Sequence, residues 1–253
     1  MRRIYLYNHL RIGNKIFISD EPAHYLKNVL RMVSGSRFYA FDGTGIEYTL
    51  EIKKISSSGI ETEIINEKHK QHREPGISIE LCLCLCKNRT FESVIKKAAE
   101  IGVTKIIPVK SARSIIEIDN KKLPLKIGRW SKIAAEGSKI AGRTRVPEIK
   151  QPQDFETVVA QNMPGILFWE QSQVSIKDIF SSFLASVEKK RFIRVFIGPE
   201  GGFTDNEVEK AIKNQIFIAS LGPRILSVET ASILALGIVF YESGLFNIPS
   251  EKL

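Results

Sequence analysis

From Ile77 onward, apolar runs of strand length alternate with stretches in which apolar residues recur every three or four positions. Ile77–Cys86, Lys105–Val109, Gly165–Glu170, Phe192–Ile197 and Ile216–Ser220 read as strands. Between them, Phe91, Val94, Ile95, Ala98 and Ala99 keep helical spacing up to Gly102, a stop residue. Trp130, Ile133, Ala134, Gly137 and Ala141 mark a second helical face, and residues 176–187 a third. Thr204-Asp205-Asn206-Glu207 is a capping box opening a fourth helix, and Glu229–Gly244 is a long apolar fifth. Strands that alternate with helices pair in parallel, because a helical crossover returns the chain to the same end of the sheet. Near-continuous apolar strands mean that both faces are covered. The expected fold is therefore α/β, with a largely parallel sheet.

Residues 1–72 break this pattern. Arg3–Tyr7, Lys15–Ser19, Arg37–Asp42, Glu47–Ile55 and Gly59–Asn66 read as short strands, with one helix over Ala23–Arg31. Such a set suggests a small β-barrel. The polar stretch His69–Gly76 ends in Pro75-Gly76, so two domains are expected, 1–72 and 73–253. The apolar run Ala231–Tyr241 is too short to span a bilayer, and Met1–Tyr5 is not followed by the apolar stretch of a signal peptide. Cys82, Cys84 and Cys86 would point to one face of a strand, too far apart for disulfides and without the spacing of a zinc site. They read as small core residues in a reducing cytoplasm, and no metal is expected.

The net charge of +9 is not evenly spread. Residues 76–150 alone carry +9, flanked by +3 before and −3 after. Concentrated positive charge attracts phosphate backbones through counterion release, although a solvated lysine surface has the same composition. Arg143 and Arg145 lie in the loop-like stretch Gly142–Pro147, where binding groups concentrate. His9, His24, His69 and His72 all fall in the first domain or the linker and read as surface or structural residues, which disfavours histidine-based hydrolysis.

In parallel sheets, ligands bind beyond the carboxyl ends of the strands. Three such ends stand out: Phe168-Trp169-Glu170, Gly198-Pro199-Glu200-Gly201-Gly202, and Leu221-Gly222-Pro223-Arg224-Ile225-Leu226. The second lets the backbone approach a ligand closely, but lacks both the Lys-Ser/Thr ending of a phosphate loop and the spacing of the dinucleotide fingerprint.

F-I-G-P-E-G-G-F-T-D-N-E (Phe196–Glu207) followed by L-G-P-R-I-L-S-V-E-T-A (Leu221–Ala231) resembles the two signature loops of the ribosomal RNA small subunit methyltransferase E family. K-N-R-T-F-E-S-V-I-K-K-A-A-E-I-G-V (Lys87–Val103), R-W-S-K-I-A-A-E (Arg129–Glu136) and G-R-T-R-V-P-E-I (Gly142–Ile149) resemble it in the family's order. H-Y-L-K-N-V-L-R-M (His24–Met32) and F-D-G-T-G (Phe41–Gly45) are similar to its N-terminal domain. The resemblance implies a PUA-like RNA-binding barrel followed by a SPOUT-class methyltransferase domain with a C-terminal trefoil knot. It also implies a homodimer whose active site is shared between subunits. The implied reaction is S-adenosylmethionine-dependent methylation of N3 of uridine 1498, in the family's numbering, in 16S rRNA of the small ribosomal subunit.

By the same resemblance, Phe168, Trp169, Glu170, Ile197, Gly198, Pro199, Gly201, Gly202, Leu221, Gly222, Ile225 and Leu226 would line the methyl-donor pocket. Methyl transfer needs alignment, and the weakly acidic imide of uracil needs help to ionise. Arg224 and Arg143 are the candidates for charge stabilisation, and Glu200 and Glu229 for orientation or proton acceptance. Glu200 also suits a turn, and Glu229 the N-terminus of a helix. Arg11, Arg31, Lys87, Arg89, Arg113, Arg129, Arg143 and Arg145 are the candidate RNA contacts. Ser227 and Val228 stand where the family usually has Arg and Thr, and Ile140-Ala141 where it has Gln-Ser. Two rival readings are a non-catalytic RNA-binding or ribosome-assembly protein on the same fold, and a SPOUT ribose 2′-O-methyltransferase.

Overall fold

A computed structural model of the chain describes residues 3–7, 9–69, 74–114, 116, 118–119, 121–187 and 192–246. The expected boundary between residues 72 and 73, with His72, lies outside the described residues. The chain divides into two compact units. One is Met1–Glu74 together with Ser138–Val146, and the other is Pro75–Gly137 together with Pro147–Leu253. A division by sequence alone has no place for Ser138–Val146 in the first unit.

The N-terminal unit is built on a six-stranded sheet of β1 (Arg3–Tyr5), β2 (His9–Ile12), β3 (Lys15–Ile18), β4 (Arg37–Phe41), β5 (Ile46–Ile55) and β6 (Ile60–His69), in the order β1-β4-β5-β6-β3-β2. Only the β1–β4 pair is parallel. Alternation sorts the side chains: Leu50 and Ile52 on β5 and Ile60 and Ile64 on β6 enter a core with Ile16, Ile18, Leu26 and Phe38. Thr62 is buried among them, and its hydroxyl donates to the Ile16 carbonyl at 2.8 Å. The helix expected over Ala23–Arg31 begins earlier, as α1 (Asp20–His24), and widens into a π-helical turn over Tyr25–Val29. Pro22 fits the first turn, where its missing N–H costs nothing.

The second unit carries seven strands: β7 (Ser78–Cys84), β8 (Lys105–Lys110), β9 (Glu148–Ile149), β10 (Gln153–Asp154), β11 (Gly165–Phe168), β12 (Phe192–Ile197) and β13 (Phe217–Ala219). All pair in parallel, in the order β10-β8-β7-β12-β11-β13, with β9 sharing the free edge of β8. The helices are α2 (Asn88–Ile101), α3 (Leu123–Ile140), α4 (Phe155–Val159), α5 (Ile176–Val187), α6 (Asp205–Lys213) and α7 (Val228–Glu242). Phe91, Val94, Ile95, Ala98 and Ala99 form the buried face of α2, which stops at Gly102 (φ 131°). Helix α3 lies close against it: the Trp130 ring packs tilted on Phe91, their centroids 4.7 Å apart, and a Cβ on Gly137 would run into the Lys96 carbonyl.

Strand β7 supplies the centre of the sheet. Cys82, Cys84 and Cys86 are free and buried, and burial pushes all three thiols well above their ordinary range. They are the small core residues the sequence suggested. Glu80, 1% exposed, lies in register with Arg194 of β12 on one side and Lys105 of β8 on the other. It pairs with both, at 3.1 Å to Arg194. The remaining Arg194 donors go to the Val158 carbonyl at 3.0 Å and to Gln161 at 2.5 Å. No helix among the described residues is long and apolar enough to cross a membrane.

Candidate active site

Strands β12, β11 and β13 are neighbours, so the loops leaving their carboxyl ends come together. They enclose a cavity of about 510 Å³. Phe168, Trp169 and Glu170 line it from β11, and Ile197, Gly198, Pro199, Glu200, Gly201 and Gly202 from β12. Leu221, Gly222, Arg224, Ile225 and Leu226 line it from the loop after β13. The twelve residues expected at the methyl donor thus share one pocket, together with Arg224 and Glu200. Thr90, Ser220, Ser227, Val228 and Ala231 also line it and were not among the residues expected at the donor, although Ser227 and Val228 were noted as departures from the family pattern. Ser227, Val228 and Ala231 lie within the second signature stretch, and Ser220 directly precedes it. Thr90 lies in the recognised stretch Lys87–Val103, but its place at the pocket follows only from the pairing of β7 with β12.

The loop after β12 is a tight turn, with the Gly202 N–H donating to the Pro199 carbonyl at 2.9 Å. Gly202 sits at φ +68°, and a Cβ there would meet the Glu170 carboxylate, so both its conformation and its surroundings require glycine. Thr204 and Glu207 form the expected capping box at the start of α6, with Thr204 N–H on Glu207 Oε2 at 2.9 Å. Glu207 Oε1 also accepts the Ala112 N–H at 2.8 Å. Beside it, Arg113 Nη1 donates to the Gly201 carbonyl at 2.8 Å and to the Phe203 carbonyl at 3.4 Å. Arg113, a candidate RNA contact, is therefore a clamp on the glycine loop.

The candidate acids are similarly engaged. Glu200 Oε1 accepts the Lys87 N–H at 3.1 Å and so caps α2, which has no side-chain cap of its own. Glu229 lies outside the pocket lining and accepts from Ser93 Oγ at 2.5 Å, tying α7 to α2. Ser227 opens α7, its hydroxyl accepting the Thr230 N–H at 3.2 Å, while Val228 is buried. Arg224 is different: it is exposed on the pocket wall and has no ion pair or hydrogen bond among the described residues.

Arg143 is not at this site. It belongs to the N-terminal unit, is 2% exposed, and places its guanidinium on Glu74 at 2.9 Å. A fully buried, paired guanidinium cannot reach a nucleotide, so its expected catalytic and RNA-contact roles are corrected to a structural one. Arg145, two residues on, is exposed, as are Arg31, Lys87 and Arg89. Arg11 pairs with Glu67 at 3.0 Å, and Arg129 with Glu92 at 2.7 Å. Arg11, Arg31 and Arg145 belong to the N-terminal unit; Lys87, Arg89, Arg113 and Arg129 belong to the second. The candidate RNA contacts are thus divided between the units. Among the described residues, no group of three or more His, Cys, Asp or Glu is placed to hold a metal ion.

A parallel sheet with a glycine-lined pocket beyond the carboxyl ends of its strands has the form of a ligand-binding α/β domain. Residues 72–240 match the family described as an RNA methyltransferase domain, and residues 10–65 match an RNA methyltransferase PUA domain. The chain is 31% identical over 235 residues to the ribosomal RNA small subunit methyltransferase E of Bacillus subtilis, covering 91% of each chain. It is 30% identical over 240 residues to that of Rickettsia conorii, covering 92% of this chain and 93% of the relative. The fold is similar to that of the Neisseria gonorrhoeae methyltransferase E solved with S-adenosyl methionine, with TM-score 0.82 and 25% identity, over 95% of this chain and 97% of that one. A Legionella pneumophila methyltransferase, also solved with its cofactor, superposes with TM-score 0.79 at 28% identity, over 94% of this chain and 96% of that one. The chain belongs to the ribosomal RNA small subunit methyltransferase E family.

Proposed function

We propose that the protein methylates N3 of one uridine in 16S rRNA, the family's position 1498, with S-adenosylmethionine as donor. The observation that carries this reading is the pocket, where the glycine turn lines the wall and Arg224 is exposed with no partner among the described residues. The residues present fit the donor. The Gly198–Gly202 turn puts backbone rather than side chains on the pocket wall, and Phe168, Ile197, Leu221 and Leu226 offer apolar walls. When bound, the donor supplies an electrophilic methyl group on a sulfonium. The chain's contribution is alignment and charge. Arg224 faces the uracil oxygen that becomes negative as N3 loses its proton, and Arg113 and Glu200 fix the loop that orients the partners.

The N-terminal unit closes as a PUA-like barrel and holds RNA, and the C-terminal strands form the trefoil knot. The protein works as a homodimer in the cytoplasm. The apolar surface of α7 supports the homodimer, with Ile233, Leu234 and Tyr241 exposed. A non-catalytic scaffold has no use for a pocket of about 510 Å³ with an arginine on its wall that has no partner among the described residues.

Incubation with S-adenosylmethionine and either naked 16S rRNA or small subunits, followed by nucleoside mass spectrometry, tests this. The expected product is 3-methyluridine at one site. A 2′-O-methylated product, or no donor-dependent product on either substrate, would overturn the assignment.

A further inference from the structure

In the N-terminal unit, one carboxylate organises the segment Ser138–Val146. Glu74 Oε1 accepts the backbone N–H groups of Thr144 at 3.0 Å and Arg145 at 2.9 Å. Its Oε2 accepts Arg143 Nε at 3.2 Å and Nη2 at 2.9 Å. The two side chains are 10% and 3% exposed. A second pair, Arg3 with Glu47 at 2.9 Å, also holds the segment, since Arg3 donates to the carbonyls of Lys139 and Arg143.

The result is a fixed setting for Arg145. Its backbone bridges to Gly43 and Thr44, and the Gly45 N–H donates to the Thr144 carbonyl at 3.2 Å. Gly45, at φ +105°, has no side chain to stand in the way. The Arg145 guanidinium lies across it, with Nε and Nη2 3.5 Å from where a Cβ would sit. The nearby acids are already occupied. Asp42 accepts from the Thr44 amide and hydroxyl and from the Tyr48 hydroxyl, Glu47 holds Arg3, and Glu74 holds Arg143. Arg145 is left exposed and without a carboxylate partner among the described residues.

Buried ion pairs contribute little net stability compared with apolar packing, so their yield here is geometry. A guanidinium already laid in place loses less side-chain freedom on binding than a free one. We infer that Glu74 is a positioning residue that presents Arg145 to an RNA phosphate. This rests on the RNA-methylation reading and adds to it the contact point and the group that builds it.

The test is the salt dependence of 16S rRNA binding by the full chain. Each phosphate contact to single-stranded RNA contributes about 0.7 to the slope of log affinity against log salt. Arg145→Ala should lower the slope by about that amount, and Arg145→Lys should restore it. Glu74→Gln should lower it equally, and the double variant no further, with S-adenosylmethionine affinity unchanged in all. Glu74→Asp, too short to span the guanidinium and both amides, should give the same loss if the Gln variant does not fold. A lower melting temperature with an unchanged slope would make Glu74 merely structural and overturn the inference. An unchanged slope in Arg145→Ala would do so by itself. Wild-type protein that neither binds nor methylates rRNA would instead refute the functional reading beneath it.

Discussion

Arg224 stands at the pocket with no carboxylate to hold it, next to Pro223, which stiffens the loop. An always-charged group left unpaired beside a glycine cradle is placed to meet charge that exists only during reaction. Arg224→Ala is expected to lower the single-turnover rate by about 10²–10³, the usual cost of one such donor. Donor and RNA affinities should change little. The deficit should shrink as pH rises, because hydroxide then helps generate the imide anion. Normal turnover with weaker donor binding would make Arg224 a clamp of the loop instead. Arg143, the other candidate, shows where reading the residues fails. Both arginines sit in Gly- and Pro-bearing loops, and the sequence cannot tell them apart. What separates them is Glu74, 69 residues before Arg143, which reaches it only in the folded chain.

Among the elements, β7 with its neighbours carries the least replaceable contact. Glu80 is buried between Arg194 and Lys105 on adjacent strands. Glu80→Ala would leave the buried Arg194 guanidinium without its counter-charge. Removing one partner of such a pair typically costs about 3–5 kcal/mol. Urea unfolding should show a loss of that size with an unchanged m-value, and a loss below about 1 kcal/mol would mean that water or Gln161 compensates. The pair was invisible in the sequence because Glu80 interrupts an apolar run with no helical or turn signal. The strands themselves were legible: β7, β8, β11, β12 and β13 follow the apolar runs to within a few residues. Doubly buried strands and one-faced helices leave strong periodic signals. Of the missed elements, α4 has Phe155, Val158 and Val159 at helical spacing but is too short at five residues to repeat it, and the others have no such signal. β2 is an edge strand with Leu10 and Ile12 exposed, and β9 and β10 are two residues each. The π-helical turn follows no 3.6-residue repeat.

For the molecule as a whole, α7 poses the remaining question. It is apolar on every side, a pattern that belongs to a helix covered all round. Yet Val228, Ser232, Ala235, Leu236, Val239 and Phe240 occupy the core side while Ile233, Leu234 and Tyr241 are exposed. The exposed three share a face with Gly237, by their spacing of three, four and seven positions, and nothing lies within 4 Å of where a Gly237 Cβ would stand. A second copy of the same helix fits such a face, because a two-fold contact presents identical patches to each other. Symmetry also makes each substitution count twice. Burying one leucine is worth about 1.5–3 kcal/mol. Leu234→Glu should therefore weaken a dimer by at least about 3–6 kcal/mol, or roughly 10²–10⁴-fold in its dissociation constant. Sedimentation equilibrium should show the variant as a monomer at concentrations where the wild type is a dimer. Ile212→Glu on α6 alters a still more exposed isoleucine on another helix and should leave assembly intact. A wild-type monomer, or a Leu234→Glu dimer as tight as the wild type, would show that α7 is not the interface.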